Sequence, residues 1–332
     1  MLRDVVIRSS HGDPLRALAW ASAALLAGGL VGCGSATDGA ARESAAPLPT
    51  ASATATHESL VPSAATPITA DYVPGQAAQL RLPAKAGAAP LIVMVPGGGW
   101  ATADPTGLVP LAAQLTDDGA STALITYATT STHSTFPEAV DDVACAVRWA
   151  TAQAAAHGHP ATHVIVLGHS AGGHLAALVS FSGSEFGSRC PYPVVRIDGL
   201  IGLAGVYDTD QFQPVLAPWM GKGPAQAPDA WRRVNPTAWL RDDKAVPSGL
   251  RVLLIHGDAD ASVPLAQTTS LARNLDAAGI DVRTDVLPGL GHLEIFQAPH
   301  AEPPIRAWLD DWPMPASAAT PAGLAGSPPR SS

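Results

Sequence analysis

The stretch HVIVLGHSAGGHLAALVS, residues 163–180, carries an apolar β-branched run into an alanine- and leucine-rich pattern, and a serine flanked by glycines marks the junction. Val164, Ile165, Val166 and Leu167 read as a buried strand, and the residues after Ser170 read as a helix. An ordinary turn between the two needs no hydroxyl. Gly168-His169-Ser170-Ala171-Gly172 spells G-x-S-x-G instead, the pattern of a strained strand-to-helix corner. Whether that corner does chemistry depends on what the rest of the chain brings to it.

On both sides of the corner, apolar strand-like runs alternate with helical patterns. The runs are LIVMV at 91–95, TALITY at 122–127, HVIVLG at 163–168, DGLIGLAG at 198–205, RVLLIHG at 251–257 and VRTDVL at 282–287. Helices fit 107–118, 137–156, 171–182, 265–278 and 303–311, with Pro264 as a start signal and Gly279 as a stop for the fourth. Continuous apolar strands separated by helices predict an α/β fold with a mainly parallel sheet covered on both faces. Residues 208–248 interrupt the rhythm with Trp219, Trp231, Trp239 and several prolines. A long irregular insertion in a compact domain is expected to be a lid, with a plain surface excursion as the alternative.

A serine hydroxyl is a poor nucleophile at neutral pH and needs a base, which in turn needs an acid to orient it. Both stand downstream at strand ends. His256-Gly257-Asp258-Ala259-Asp260 follows RVLLI, and Gly289-Leu290-Gly291-His292 follows VRTDVL. An oxyanion formed at a carbonyl also needs preorganised N–H donors, each worth about 3 kcal/mol in the transition state. Pro96-Gly97-Gly98-Gly99-Trp100, directly after LIVMV, supplies a loop whose backbone can come close.

Four segments, VMVPGGGW, GHSAGGHLA, HGDADASVP and GLGHLEIF, occur in this order over about 200 residues. With them the chain resembles the α/β hydrolases, and within these the esterase branch of feruloyl-esterase-like carboxylesterases and kynurenine formamidases. The resemblance implies a triad of Ser170, Asp260 and His292 and an oxyanion hole built from Gly98 or Gly99 together with Ala171. Its H-G-x-x-D-x-x-V-P pattern selects Asp260 as the acid and leaves Asp258 as a neighbour. Pro96 stands where the family usually has histidine, which bears on the conformation of the loop rather than on the reaction class. Phe136-Pro137-Glu138-Ala139-Val140-Asp141-Asp142 matches the family pattern before the helix ahead of the nucleophile strand, and its acids are expected to cap and solvate that helix.

The other histidines read as structural. His169 and His174 flank the serine and are expected to pack or to bond backbone, and His256 ends a strand. His133, His157, His159 and His163 lack metal-ligand spacing, so no metal is expected. No cofactor is implied.

The 332 residues are 47% hydrophobic and 14% charged, enough for one substantial core. The net charge of −9, with no basic run beyond the extreme N-terminus, argues against nucleic acid as a partner. Arg3, Arg8 and Arg16 precede ALAWASAALLAGGLVG at 17–32, which suits the apolar region of a signal peptide. It ends in Leu30-Val31-Gly32-Cys33, which resembles the lipobox of bacterial lipoproteins, where the cysteine becomes a lipid-modified N-terminus; the alternative is an ordinary buried cysteine.

The organisation expected is therefore a signal at 1–32, a flexible Ala/Ser/Thr/Pro-rich tether at 33–57, a catalytic domain at 58–314 with its lid at 208–248, and a disordered tail at 315–332. Cys145 and Cys190 either pair in an oxidising compartment or remain two buried thiols.

The function expected is a serine esterase acting on a small-molecule ester through an acyl-enzyme. It would sit in the bacterial cell envelope, anchored to the membrane at Cys33, or else be secreted. Hydrolysis of a C–N bond, as by a formamidase or a peptidase, is the second enzyme reading. A non-catalytic binding lipoprotein is the third, and would be expected to have lost a member of the triad. Oligomeric state is not legible in the sequence.

Overall fold

A computed structural model of the chain describes residues 66–241 and 246–312. The expected signal, the tether and Cys33, residues 58–65 and 313–314 at the two ends of the expected domain, 242–245 of the expected lid, and the tail at 315–332 lie outside the described residues.

Eight strands form one sheet: β1 (Ile68–Val73), β2 (Gln76–Arg81), β3 (Ala89–Val95), β4 (Ser121–Ile125), β5 (Ala161–His169), β6 (Gly199–Leu203), β7 (Arg251–Gly257) and β8 (Asp281–Leu287). Their spatial order is β1-β2-β4-β3-β5-β6-β7-β8. β1 and β2 run antiparallel at one edge, β2 joins β4 antiparallel, and every remaining pair is parallel. This is the doubly wound α/β sheet that the alternating runs predict, with β5 beside its middle.

The helices are α1 (Val109–Asp117), α2 (Glu138–Ala156), α3 (Ala171–Phe181), α4 (Gln213–Met220), α5 (Pro228–Arg233), α6 (Pro236–Trp239), α7 (Ala266–Ala277) and α8 (Ala298–Asp310). The pleat of β3 shows how they divide. Leu91, Val93 and Val95 join Val140, Trp149 and Leu175 of α2 and α3 in one core, whereas Ile92 and Met94 join Leu111, Leu115, Ile305 and Trp308 of α1 and α8 in the other. Both faces of the strand are dry, so the run is apolar throughout rather than alternating. Among the described residues, no helix is long and apolar enough to cross a membrane.

Three features depart from the sequence expectations. The edge hairpin β1–β2 has no continuous apolar run: Ala70 and Ile68 are only partly covered, and Tyr72 alone in β1 is buried. Helix α8 begins at Ala298 rather than 303 and carries Pro303 and Pro304 inside it. Ala301, Ile305 and Trp308, spaced on one face, bury against the sheet, and this packing overrides the local cost of the prolines. The insertion is not irregular but folds as a 3₁₀ turn, Thr209–Phe212, followed by α4, α5 and α6. Trp219 and Trp231 are buried by it, so it packs on the domain instead of looping away.

Cys145 of α2 and Cys190, in the link from α3 to β6, form a disulfide with Cα atoms 5.3 Å apart. The same link is held by Arg148, which donates to the carbonyls of Phe186 and Gly187, and by Asp141, whose carboxylate accepts from the Gly187 N–H at 2.7 Å. Asp142 accepts from the Ala128 N–H at 2.9 Å. These two acids tie loops to α2; they do not cap it, and Pro137 at its start makes no side-chain cap.

Candidate active site

The site stands at the C-terminal ends of the parallel strands, where β3, β5, β7 and β8 each release a loop. Ser170 lies between β5 and α3 with φ 54° and ψ −120°. A non-glycine residue held there is strained by about 1–3 kcal/mol and persists only where its surroundings fix it. Here the fixing is backbone packing. A Cβ on Gly168 would strike the carbonyl of Gly172, and one on Gly172 would strike the carbonyls of Val95 and Pro96. The two glycines of the motif therefore let strand, helix and neighbouring loop close on one another. The Ser170 N–H is anchored to the Leu203 carbonyl of β6 at 3.0 Å.

His292 arrives from the loop after β8. Its Nε2 is 2.9 Å from Ser170 Oγ, and its Nδ1 is 2.7 Å from Asp260 Oδ2. Asp260, from the loop after β7, is almost wholly buried, and its Oδ1 accepts the N–H groups of Ser262 and Val263, both at 2.8 Å. Burial opposes the carboxylate charge. The Val263 N–H, the His292 imidazole and the Ser262 N–H outweigh it and hold the group below the usual carboxylate range.

Asp258 does not reach His292. Its Oδ1 instead accepts from the Gly289 N–H at 2.6 Å, which pins the turn leading to His292.

Two further histidines brace this arrangement; His169 bonds backbone as expected, and His256, expected to be structural, bonds both backbone and a side chain. His169 Nε2 lies 2.9 Å from the carbonyl of His292 and donates to it. Burial, and after it the neighbouring His292, push His169 down to about 3, so its ring is neutral. His256, fully buried, donates from Nε2 to the Val263 carbonyl at 2.9 Å and accepts the Thr268 hydroxyl at Nδ1, 2.7 Å away. Burial lowers it as well, so its 3.4 Å approach to Asp260 is not an ion pair.

The loop after β3 covers the serine. Gly97 comes so near that a Cβ there would stand 3.1 Å from Ser170 Cβ and 2.8 Å from His169 Nδ1. Gly98 and Gly99 follow with φ 137° and 59°. Ala171 opens α3, where the N–H groups of the first turn lack intrahelical acceptors and the helix dipole favours negative charge. Among the described residues, the N–H groups of Gly98, Gly99 and Ala171 donate to no backbone carbonyl outside a helix or strand. Tyr127 steadies the loop by donating to the Pro96 carbonyl at 2.9 Å, at the position where the family resemblance leads one to expect histidine.

Two apolar side chains lie beside the site histidines. Leu293, next to His292, is 65% exposed, and Phe296 packs edge-on against His169 with ring centroids 4.6 Å apart. Neither residue was singled out from the sequence, although both lie in the GLGHLEIF segment.

A serine, an imidazole and a buried carboxylate joined in this way can move a proton from the serine hydroxyl while it attacks an electrophilic carbon. Comparison with known proteins bears on the family and on the bond that its relatives cleave. The family model BD-FAE matches residues 79–275, more than half of the chain. Esterase LipC of Mycobacterium tuberculosis is 28% identical over 222 residues, covering 61% of this chain and 53% of that one. Esterase LipQ of the same organism is 26% identical over 216 residues, 61% and 50% of the two chains. Isoprenylcysteine alpha-carbonyl methylesterase ICME of Arabidopsis thaliana is 24% identical over 236 residues, 68% and 54%.

The chain thus spans about half the length of these curated relatives. Among solved structures, a truncated carbohydrate esterase from gut microbiota superposes with a TM-score of 0.63 at 20% identity, over 74% of this chain and 96% of that one. The butyrate-bound esterase Est2 of Thermogutta terrifontis gives 0.61 at 19%, over 74% and 93%. At these identities the structures speak for the α/β-hydrolase fold.

Proposed function

The chain belongs to the BD-FAE family, and we propose that it is a serine carboxylesterase that cleaves small, uncharged esters through an acyl-enzyme. The observation that carries the reading is the continuous hydrogen-bonded path from Ser170 Oγ through His292 to Asp260. In this account His292 Nε2 takes the proton as Ser170 Oγ bonds to the ester carbon. The oxyanion turns toward the N–H of Ala171 and of Gly98 or Gly99, and the alkoxide leaves with the proton from His292. Water, deprotonated by the same imidazole, then releases the acid and restores Ser170.

Asp260 keeps Nδ1–H in place and stabilises the imidazolium without accepting its proton, consistent with a carboxyl held below its usual range. The exposed Leu293 beside His292 and the aromatic face of Phe296 suit an apolar acyl or alcohol group better than a charged one. The esterase names of LipC, LipQ and ICME support the same bond class.

The test is turnover by the purified full-length protein of p-nitrophenyl esters of increasing chain length, feruloyl esters and N-formyl amides. The expected result is hydrolysis of esters far above amides; hydrolysis confined to the amides would replace this reading with a formamidase.

For location we propose lipid anchoring at Cys33, supported by the Leu30-Val31-Gly32-Cys33 motif behind an apolar segment. Labelled fatty acid should enter the wild-type protein in a bacterial host and not Cys33→Ser. A wild type that takes up no label would leave secretion as the reading.

A further inference from the structure

His174 lies one turn into α3, immediately behind the nucleophile, and is completely buried. Its two ring nitrogens face two different parts of the site. Nδ1 is 3.1 Å from Trp100 Nε1, and Nε2 is 2.7 Å from the carbonyl of Val234 in the insertion. An indole N–H can only donate and a carbonyl can only accept. Both bonds are satisfied together by one state alone, the neutral imidazole with its proton on Nε2. Burial pushes the ring down to about 4, which keeps that state through the pH range in which a histidine-based hydrolase works.

Trp100 is the last residue of the Pro96–Trp100 loop and has φ 58°, a left-handed conformation that a large side chain adopts only under constraint. Three contacts supply the constraint. The indole N–H goes to His174, the carbonyl accepts the Thr130 N–H at 3.0 Å, and the ring stacks on Trp219 of α4 with centroids 6.1 Å apart and planes at 15°. Gly98 and Gly99, assigned to the oxyanion in the reading above, immediately precede this residue, so whatever fixes Trp100 restrains them.

We propose that His174 is a positioning residue for the oxyanion loop: it fastens Trp100 to the nucleophile helix and to the insertion, and so sets the distance between the loop's N–H groups and Ser170. The proposal rests on the esterase reading above, because it assigns the loop to the oxyanion. A misplacement of about 1 Å in such a site costs on the order of a hundredfold in rate. The loss should fall on the transition state, since the ground-state ester makes little use of the donors.

The experiment compares wild type with His174→Phe, His174→Gln, Trp100→Phe and the double variant His174→Phe/Trp100→Phe. It uses p-nitrophenyl butyrate turnover and the affinity for an alkyl trifluoromethyl ketone, which binds as a tetrahedral adduct. A third readout, independent of activity, is the ¹H–¹⁵N resonance of the Trp100 indole.

His174→Phe, which keeps the ring volume, should lower kcat about ten- to a hundredfold with KM nearly unchanged, weaken the ketone by a similar factor and move the indole resonance. His174→Gln, whose amide can accept from Trp100 and donate to Val234, should recover part of the loss. Trp100→Phe should match His174→Phe, and the double variant should be no worse than either. Unchanged kcat, a change in KM alone, or losses that add in the double variant would overturn the proposal. A wild type that neither turns over the ester nor binds the ketone would overturn the esterase reading, and this proposal with it. A normal wild type with unaffected variants would overturn only the role of His174.

Discussion

The Ser170 corner and the insertion over residues 208–248 meet at Trp100 and His174, yet they are held in opposite ways. At the corner, position is set by backbone: the close approach of Gly168 and Gly172, the Ser170 N–H on Leu203, and strand-end loops that deliver Asp260 and His292. In the insertion, position is set by side chains packed on other elements. Trp219 stacks on Trp100, and Arg233 pairs with Glu185 at 2.8 Å while lying over the Phe186 ring; within the insertion itself Trp231 donates to the Lys222 carbonyl. The link that carries Glu185 and Phe186 is itself fixed by the disulfide. The contrast teaches that the chemistry depends on a few local positions, whereas the shape of the surroundings depends on many distributed ones. Changes at the corner should therefore appear in kcat, and changes under the insertion in stability.

The largest effect expected is that of Ser170→Ala, which should fold normally and lose about 10⁶-fold in kcat. Near-wild-type turnover by the folded variant would remove the corner from the mechanism. Next comes the pair of acids. Asp260→Asn should lower kcat by about 10⁴-fold, because the amide no longer holds Nδ1–H, while Asp258→Asn, which only loosens the Gly289 turn, should stay within about tenfold. The reverse ranking would move the acid by two residues.

On the other side of the comparison, replacing Cys145 and Cys190 by alanine removes a cross-link spanning 45 residues. Loop-closure entropy puts its contribution at about 4 kcal/mol as an upper figure, read as a drop in the urea midpoint, while kcat should change little. A large fall in kcat without a loss of stability would mean that the two regions are not separable in this way.

The smallest effect concerns Asp142. Burial pushes its carboxyl up to about 6 against the pull of the Ala128 N–H, with Asp141 and Glu138 adding to the rise and Arg189 opposing it. The folded state therefore holds a proton that the unfolded chain has already released, and the stabilisation this gives is lost as pH rises from about 4 to 6. Asp142→Asn removes the titration. The wild type should lose on the order of 1–2 kcal/mol relative to the variant across that window, after discounting for the solvent that reaches the carboxyl. Parallel pH profiles of urea stability for the two proteins would contradict this.

The same contrast explains what could be read in the sequence. Buried parallel strands such as Leu91–Val95 are apolar on both faces and stand out as runs, and a serine between glycines at a strand end is a local steric pattern. The distinction between Asp258 and Asp260 came from a family pattern rather than from the residues alone. In the fold it follows from two backbone N–H groups that turn Asp260 inward, while Gly289 takes Asp258.

The edge hairpin was not legible because only one of its faces is covered, so Ile68–Val73 carries too few apolar residues to register. The start of α8 was hidden because prolines argue locally against a helix that tertiary packing enforces. His174 reads from the sequence as a residue that packs or bonds backbone, and one of its partners is a backbone carbonyl. Its link to Trp100 spans 74 residues and leaves no trace in local pattern.

The central claim is that Ser170 is the nucleophile, and the most direct measurement is reaction of the full-length protein with a fluorophosphonate, followed by peptide mass analysis and residual ester turnover. One adduct per chain is expected, on the peptide containing Ser170, formed in step with complete loss of activity and absent from Ser170→Ala. Full activity after exposure, or loss of activity that tracks an adduct on another residue, would contradict it.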